Sequence, residues 1–374
     1  MTKSKDKPRK QLLRGTEAVG EAAIRAGCRF YAGYPITPQN ELPEYMSRRM
    51  GELRAEHPGE NPVFIQSESE LSAINMLLGA SVTGARCMTS SSSPGISLKQ
   101  EGISFMAGME LPAVIVNIMR GGPGLGNIAP SQSDYYQATR GGGHGDYRII
   151  VLAPATVQEM ADLTYEAFDL ADKYRNPVLV AGDGMMGQMM EPVIFREDQP
   201  MRLVAKLPPK PWALRGAKGR PSRFFRSLIL PPHEMEEHNW RLYRKLQKIE
   251  RKEPRAELVS VDDADFVVVA FGTAARIARS AVKRCRDKGL KVGLIRPITL
   301  WPYPSQVIRE TADRGAQAFL SFEMNMGQMV DDVRLAVEGR APVHFFGRPG
   351  GVVPTPVELA GVIRRIYNNP AKTM

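Results

Sequence analysis

The sequence predicts an α/β protein built from two doubly wound domains. From Gly15 to about Pro192, helix-like and strand-like segments alternate, as expected of a parallel sheet with helices on both sides. After a Pro- and Arg-rich interruption, the same alternation resumes at Ala264. We therefore expect a first domain over 1–195, a linker with a charged helix over 196–260, and a smaller second domain over 261–374.

The first domain contains at least six candidate strands. They are apolar or β-branched runs bounded by Gly, Pro or Asn: RFYAGYP, NPVFIQ, RCMTSSSS, LPAVIVNIM, YRIIVLAP and NPVLVAGD. TEAVGEAAIRAG predicts a first helix, with Thr16 as its N-cap and Gly27 as its stop. A small-residue helix is predicted after NPVFIQ, and TVQEMADLTYEAFDLADKY predicts an amphipathic helix between the last two strands.

A charged helix and a second α/β series complete the chain. HEMEEHNWRLYRKLQKIERKE places Leu242, Leu246 and Ile249 along one side of a helix. Beyond it, the strands DFVVVAFG, KVGLIRP and AQAFLSFE alternate with the helices AARIARSAVKRCRDKG, SQVIRETADRG and PVELAGVIRRIYNN. This order predicts a second, smaller parallel sheet.

The composition is that of an ordinary globular protein. Apolar runs such as FVVVAF are too short to cross a bilayer, so no membrane association is expected. The basic N-terminal segment MTKSKDKPRKQLLRG lacks the apolar core of a signal peptide, and we expect a cytoplasmic location. Cys28, Cys87 and Cys285 are widely spaced, which argues against a disulfide framework and against an iron–sulfur cluster held by this chain alone.

The net charge of +10 is concentrated in one segment. Eight Lys or Arg residues and no acid lie between Arg202 and Arg226. The segment is either a solvated linker or a docking site for an anionic partner, an acidic subunit or a nucleotide-bearing cosubstrate. Because no nucleic-acid-binding module accompanies the charge, nucleic acid is not an expected partner.

Two Gly-rich segments follow predicted strands. RGGPGLGN comes after LPAVIVNIM, and RGGGHGD comes some twenty residues later. Neither fits G-x-G-x-x-G or opens a helix directly, so neither predicts a dinucleotide site. They predict loops, either plain ones or ones whose backbone passes close to a ligand or another subunit.

The segment QSESELSAINMLLGASVTGA combines a possible helix cap with a possible functional acid. Ser67 and Glu70 have the spacing of a capping box. The helix that they open is rich in Ala, Gly and Ser, which suits close packing against a neighbouring backbone. TSSSSPG then follows as a hydroxyl-rich strand end that could line a polar pocket.

These segments resemble a known family. A strand, Glu70, a small-residue helix with Gly79 and a Ser/Thr-rich strand end resemble the pyrimidine-binding domain of thiamine diphosphate enzymes. GYPITPQNE looks like the YPITP signature of 2-oxoacid:ferredoxin oxidoreductases. Further segments resemble the alpha subunit of that family, closest to its branched-chain (2-oxoisovalerate, 3-methyl-2-oxobutanoate) type: TSSSSPGISL, RGGPGLGN, GGGHGDYR, RPITLWPYP, EMNMGQMVDDVRLAV and GRPGGVVPTP.

The resemblance implies a fold and an activity. The fold is a thiamine diphosphate pyrimidine-binding domain followed by a transketolase C-terminal-like α/β domain. The activity is oxidative decarboxylation of a 2-oxoacid to acyl-CoA, CO₂ and reduced ferredoxin, with this chain as a catalytic subunit. The implied partners are a diphosphate-binding beta subunit, gamma and ferredoxin-like subunits, ferredoxin, coenzyme A and the 2-oxoacid.

The GDG at Gly182–Gly184 resembles the metal motif of thiamine diphosphate enzymes, but only in part. In those enzymes an Asn follows closely, whereas the first Asn after Asp183 is Asn239. Gly and Asp also suit an ordinary turn. We therefore expect no metal ligands on this chain, with Mg²⁺ and the iron–sulfur clusters held by partner subunits.

The resemblance also assigns roles to particular residues. Glu70 is the expected catalytic carboxyl, contacting the aminopyrimidine of the cofactor, with Glu68 as the second choice. Thr37 and Arg120 are expected to bind the substrate carboxylate. Further residues are expected to line the cofactor pocket: Tyr34, Pro35, Ser92, Ser93 and Asn127.

Three alternatives remain open at this point. The substrate could be 2-oxoglutarate or an aryl glyoxylate rather than a branched-chain 2-oxoacid. The chain could be a self-sufficient thiamine enzyme of the transketolase or decarboxylase kind. It could also be a non-catalytic scaffold subunit, in which Glu70 is only a helix cap.

Overall fold

A computed structural model describes residues 10–369; residues 1–9 of the basic N-terminal segment lie outside that range. The strands are β1 Gln11–Arg14, β2 Phe30–Gly33, β3 Val63–Gln66, β4 Cys87–Ser91, β5 Ala113–Met119, β6 Ile150–Leu152, β7 Pro177–Asp183, β8 Met190–Val193, β9 Ala256–Val259, β10 Phe266–Val269, β11 Val292–Pro297, β12 Thr299–Trp301, β13 Ala318–Glu323 and β14 Val343–Gly347. The helices are α1 Gly15–Arg25, α2 Glu41–Glu56, α3 Glu70–Val82, α4 Ser93–Gly108, α5 Tyr135–Arg140, α6 Val157–Tyr174, α7 Gly184–Gln188, α8 Pro232–Lys252, α9 Gly272–Arg286, α10 Ser305–Asp313, α11 Met329–Val337 and α12 Pro356–Tyr367.

The first sheet has the strand order β12-β6-β7-β5-β4-β2-β3. The pairings from β6 to β3 are parallel, and all six predicted strands are present in it. Central strand β5 is buried along its whole length, as expected of a parallel strand covered on both faces. The carboxyl ends of these strands therefore form one continuous edge, where the site described below lies.

The second sheet has the strand order β14-β13-β10-β11-β9, and only its β9–β11 pairing is antiparallel. The predicted strands β10, β11 and β13 form its centre. Immediately after β11 the chain crosses to the first sheet, where β12 pairs antiparallel with β6. The two domains are thus joined by a shared strand as well as by contacts.

The linker helix α8 packs as its sequence pattern predicts. Leu242 and Ile249 are buried, and Leu246 is partly buried against the main core. No helix among residues 10–369 is long and apolar enough to cross a membrane.

Two predicted helix caps are wrong. Helix α1 begins at Gly15, so Thr16 lies inside the helix and donates its hydroxyl to the carbonyl oxygen of Gly187. Helix α3 is capped by Ser69, whose side chain accepts a hydrogen bond from the Ser72 backbone, whereas Ser67 donates to the Ser69 carbonyl oxygen. Helix α1 has Arg14 directly before it, whereas Ser67 and Ser69 both precede α3, and tertiary contacts decide which of these two serines caps α3.

Gln132 connects the two domains. Its side chain is fully buried, donates to the carbonyl oxygen of Phe271 at 2.8 Å and accepts from the backbone of Met324 at 3.1 Å. Its backbone N–H donates a hydrogen bond to the carbonyl oxygen of Met324, and its backbone carbonyl oxygen accepts one from the side chain of Asn325. The loop after β5 is therefore hydrogen-bonded to the carboxyl ends of β10 and β13.

We expect Gln132→Leu to destabilise the chain by about 1–3 kcal/mol, because it leaves the buried Met324 N–H without a partner and removes one of the two hydrogen bonds to the Phe271 carbonyl oxygen. Urea unfolding followed by circular dichroism measures the change in the free energy of unfolding. Gln306→Leu is the control, since Gln306 is exposed on α10 and should change stability by less than about 0.5 kcal/mol. Equal effects of the two substitutions would show that Gln132 does not hold the domains together.

Candidate active site

Unpaired polar atoms gather where strands β2, β4 and β5 end. Six buried side-chain atoms there have no hydrogen-bond partner: Gln39 Nε2, Asn40 Oδ1, Ser91 Oγ, Ser92 Oγ, Asn117 Oδ1 and Arg120 Nε. Each such atom costs about 1–3 kcal/mol when it stays unpaired. A cluster of them at the carboxyl edge of a parallel sheet indicates a site that a ligand completes.

Glu70 lies at this cluster, and Glu68 does not. Glu70 is the first residue of α3 and is 5% exposed. A side chain at Gly95 would place its Cβ 2.5 Å from Glu70 Oε1 and 2.1 Å from Ser91 Oγ, so only glycine leaves room for both groups. Glu68 is exposed, and hydrogen bonds from Ser69 and Ser72 lower its pKa.

Close packing of the small-residue helix comes from its neighbour rather than from its own glycine. A Cβ at Gly79 would meet no atom within 4 Å. A Cβ at Gly102 of α4 would lie 2.6 Å from the side chain of Ile74 on α3. Helix α4 can therefore approach α3 closely, which places Gly95 against Glu70.

A fully buried lysine lies beside Glu70. Lys99 Nζ donates to Thr89 Oγ1 at 3.1 Å and to the backbone carbonyl oxygen of Glu70 at 3.4 Å. Burial lowers the pKa of Lys99 to about 8, and the negative charge of Glu70 opposes that shift. Sequence reasoning missed Lys99, because a single lysine within a helix is usually exposed.

Arg120 and Thr37 lie together. The guanidinium of Arg120 donates from Nη1 to the carbonyl oxygen of Thr37 and from Nη2 to that of Leu125, both at 2.9 Å. Its Nε is buried and unpaired. The Arg120 cation is therefore fixed beside the exposed Thr37 rather than free on the surface.

A second buried acid, Asp134, is hydrogen-bonded to residues at the ends of the same strands. Asp134 accepts hydrogen bonds from Ser93 Oγ at 2.5 Å and from Asn117 Nδ2 at 2.8 Å, and its burial raises its pKa. Ser93 Oγ also accepts from the Arg120 backbone at 3.0 Å. Sequence reasoning missed both Asp134 and Asn117, although an Asn inside the apolar run AVIVNIM was a signal for the latter.

The remaining predicted site residues have different surroundings. Ser92 is buried with an unpaired hydroxyl, whereas Tyr34 and Pro35 are exposed after β2. Asn127 is exposed, accepts from the Ala129 backbone and donates to the carbonyl oxygen of Gly350 at 3.0 Å. Its side chain thus fixes the first Gly-rich loop to the second domain.

Both Gly-rich loops pass close to other parts of this chain. In the first, Gly126 has φ of +60°, and a Cβ there would lie 1.7 Å from the Gly121 carbonyl oxygen. In the second, a Cβ at Gly143 would lie 2.5 Å from the Gln100 carbonyl oxygen of α4. The basic segment is partly engaged as well, since Arg202 pairs with Asp169 and Lys210 with Asp172.

Asp183 of the GDG segment is enclosed by protein. It caps α7, and its Oδ1 accepts hydrogen bonds from the backbones of Met185 and Met186 and from the hydroxyl of Thr273. The residue is 1% exposed, and burial raises its pKa. Among residues 10–369, no group of three His, Cys, Asp or Glu side chains could hold a metal ion.

Comparisons with known proteins agree on one family. Residues 21–256 match the thiamine diphosphate-binding model of pyruvate flavodoxin/ferredoxin oxidoreductases, and residues 264–359 match core domain II of pyruvate:ferredoxin oxidoreductase. The chain is 51% identical to ketoisovalerate oxidoreductase subunit VorB of Methanothermobacter thermautotrophicus, over 95% of this chain and 97% of that one. It is 36% identical to 2-oxoglutarate synthase subunit KorA of the same organism, over 95% and 98% of the two chains.

Solved structures show the same fold. A 2-oxoglutarate:ferredoxin oxidoreductase from Magnetococcus marinus superimposes with a TM-score of 0.78 at 24% identity, covering 98% of this chain and 68% of that one. A split-gene transketolase superimposes with a TM-score of 0.57 at 13% identity, covering 95% of this chain and 98% of that one. The family matches span both domains, and this chain therefore belongs to the pyruvate flavodoxin/ferredoxin oxidoreductase family, with its thiamine diphosphate-binding domain and core domain II.

Proposed function

We propose that this chain provides the pyrimidine end of the thiamine diphosphate site in a coenzyme A-acylating 2-oxoacid:ferredoxin oxidoreductase, with a branched-chain 2-oxoacid as substrate. The observation that carries the proposal is the buried Glu70 carboxylate against Gly95, beside the unpaired hydroxyls of Ser91 and Ser92. The 51% identical relative is named for ketoisovalerate, and the 36% identical relative keeps 2-oxoglutarate as the alternative substrate.

The residues at this edge suit an aminopyrimidine. That ring presents nitrogen atoms and an amino group, which can exchange hydrogen bonds with a carboxyl and with hydroxyl groups. Glu70 is the proposed partner of the ring nitrogen N1′, and the unpaired hydroxyls of Ser91 and Ser92 are further partners. The missing side chain of Gly95 leaves the space in which this contact is made.

Each residue has a defined task in this proposal. Thiamine diphosphate, when bound, supplies the electron sink for decarboxylation. With the cofactor bound, Glu70 would share a proton with the ring nitrogen N1′ and so would tune the basicity of the aminopyrimidine. Arg120, through its unpaired Nε, and Thr37, through its hydroxyl, bind the carboxylate of the 2-oxoacid.

The rest of the enzyme is assigned to partner chains. The enclosed position of Asp183 supports placing Mg²⁺ and the cofactor diphosphate on a beta subunit. The iron–sulfur clusters are proposed to lie on gamma and ferredoxin-like subunits, because the three cysteines of this chain, Cys28, Cys87 and Cys285, are buried and too few for a cluster with four cysteine ligands. Electrons then pass to ferredoxin, and the acyl group passes to coenzyme A.

We expect Glu70→Gln to lower turnover of the reconstituted enzyme by about 100-fold or more, because an amide cannot carry the proton that the carboxyl shares. Steady-state reduction of ferredoxin measures turnover, and calorimetry checks that the complex still binds the cofactor. Glu68→Gln is the matched control, two residues away and exposed, and should change turnover less than twofold. Normal turnover by Glu70→Gln would support the scaffold alternative, in which Glu70 only begins a helix.

We expect the purified chain alone to bind thiamine diphosphate and Mg²⁺ weakly, and to bind both tightly once the beta subunit is added. The physical reason is that no group of three His, Cys, Asp or Glu side chains among residues 10–369 could hold the metal ion, and Asp183 Oδ1 already accepts a hydrogen bond from Thr273. Calorimetric titration with and without the partner makes the comparison. Tight binding by the lone chain would overturn the shared site and make Asp183 a metal ligand.

Lys99→Met should stabilise the chain at pH 7 by about 1–3 kcal/mol, since it removes a buried charge. The pKa of Lys99 is about 8 in the folded chain and 10.5 for an ordinary lysine, so the folded state binds fewer protons between these pH values. Wild-type stability therefore rises over that interval, and the advantage of Lys99→Met should shrink from pH 8 to pH 10.5.

Urea unfolding at a series of pH values measures this difference for Lys99→Met. The exposed Lys288→Met is the control and should show no such pH dependence relative to wild type. A constant difference between Lys99→Met and wild type at every pH would contradict the assignment of a lowered pKa to Lys99.

A further inference from the structure

An apolar groove opens beside Thr37 at the carboxyl edge of the first sheet. Its volume is about 700 Å³. Thr37 and Pro38 come from the loop after β2, Ile128 from the first Gly-rich loop, Met185 from α7, and Val353 from the second domain. We call this feature the apolar groove.

The charge at the apolar groove excludes one class of ligand. No Lys or Arg lines it, and Glu41 is its one charged lining residue. Glu41 accepts a hydrogen bond from Gln188 and lies 3.7 Å from the guanidinium of Arg14, which is outside the lining. A second carboxylate on a substrate would therefore meet a like charge and no cation there.

The apolar groove begins where the substrate carboxylate is proposed to bind. Thr37 lines the groove, and its carbonyl oxygen accepts the 2.9 Å hydrogen bond from Arg120. If Arg120 and Thr37 hold the carboxylate of a 2-oxoacid, the side chain of that 2-oxoacid is the part of the molecule that can enter the apolar groove. Ile128 is 62% exposed there, so an aliphatic group would remove apolar surface from water.

Two walls of the apolar groove are fixed relative to each other across the domains. Ile128 lies in the same loop as Asn127, whose side chain donates a 3.0 Å hydrogen bond to the carbonyl oxygen of Gly350. Gly350 comes three residues before Val353 in the chain. A Cβ at Gly351 would lie 2.4 Å from Ala129 Cβ, so the two loops are in close contact. A fixed width is what discrimination between side chains of different size requires.

We propose that the apolar groove is the side-chain subsite of the substrate, and that Ile128, Met185 and Val353 select a branched aliphatic 2-oxoacid over a dicarboxylic one. This inference rests on the proposed function and names the residues that determine its substrate class.

The test uses the enzyme assembled with its partner subunits. We compare kcat/KM for 3-methyl-2-oxobutanoate, 2-oxoglutarate and pyruvate in the wild type and in Ile128→Arg. The new cation should shift the ratio of kcat/KM values at least about tenfold towards 2-oxoglutarate. Val352→Arg is the matched control: it adds the same charge at an exposed residue next to Val353 but outside the groove lining, and should leave the ratio unchanged.

A second variant tests size rather than charge. Ile128→Trp narrows the apolar groove, so kcat/KM for 3-methyl-2-oxobutanoate should fall at least about tenfold relative to pyruvate. Thiamine diphosphate affinity, measured by calorimetry, should stay within twofold in each variant, because the groove is apart from Glu70 in the proposal.

The outcomes separate this inference from the proposed function. If the wild-type complex oxidises no 2-oxoacid, the proposed function fails. If the complex does oxidise a 2-oxoacid, but Ile128→Arg and Ile128→Trp change kcat/KM for all three substrates by the same factor, the side-chain subsite lies elsewhere. If these variants fail to assemble in size-exclusion chromatography while Val352→Arg assembles, the apolar groove is a subunit contact and the inference is overturned.

Discussion

The structure depends on how Gln132 joins the two sheets. This one buried side chain, with its backbone, satisfies groups at the ends of β10 and β13 while it belongs to the loop after β5. Because both its partners are buried, the loop has few alternative positions that leave no polar group unpaired. The Gly-rich loop directly before it, which carries Asn127 and Ile128, is thereby fixed against the second domain. The second domain thus helps to shape the proposed site.

The buried polar groups at the carboxyl edge of the first sheet reduce the folding stability of the isolated chain. Unpaired atoms of Ser91, Ser92, Asn117 and Arg120, together with the buried charge of Lys99, lower its stability. A core selected for stability alone would replace them with apolar side chains, as often succeeds for buried ion pairs. Their presence fits a surface that a cofactor and a partner chain complete, since both would supply the missing hydrogen bonds.

The sequence predicted part of the site, and its limits have physical causes. The spacing of Glu68 and Glu70 could not decide which carboxylate turns inward, because that depends on Gly95 of a helix 25 residues further along the chain. The family resemblance assigned Thr37 and Arg120 to the same substrate carboxylate, and in the fold the Arg120 guanidinium donates a hydrogen bond to the Thr37 carbonyl oxygen. Asp134 carried no local signal at all, since its partners Ser93 and Asn117 lie on two other elements. The roles proposed for these residues stay predictions until the variants are measured.

What the sequence determined by itself was local or repeated: the alternation of strands and helices, the amphipathic helix α6, the apolar side of α8, and the family. It did not determine the crossing of β12 to the first sheet or the choice of Ser69 over Ser67 as a cap. Only the tertiary structure decided these, because strand pairing and hydroxyl partners depend on groups far away in sequence. Asp183 is a further case, since the fold brings the hydroxyl of Thr273, 90 residues later, into a hydrogen bond with its carboxylate.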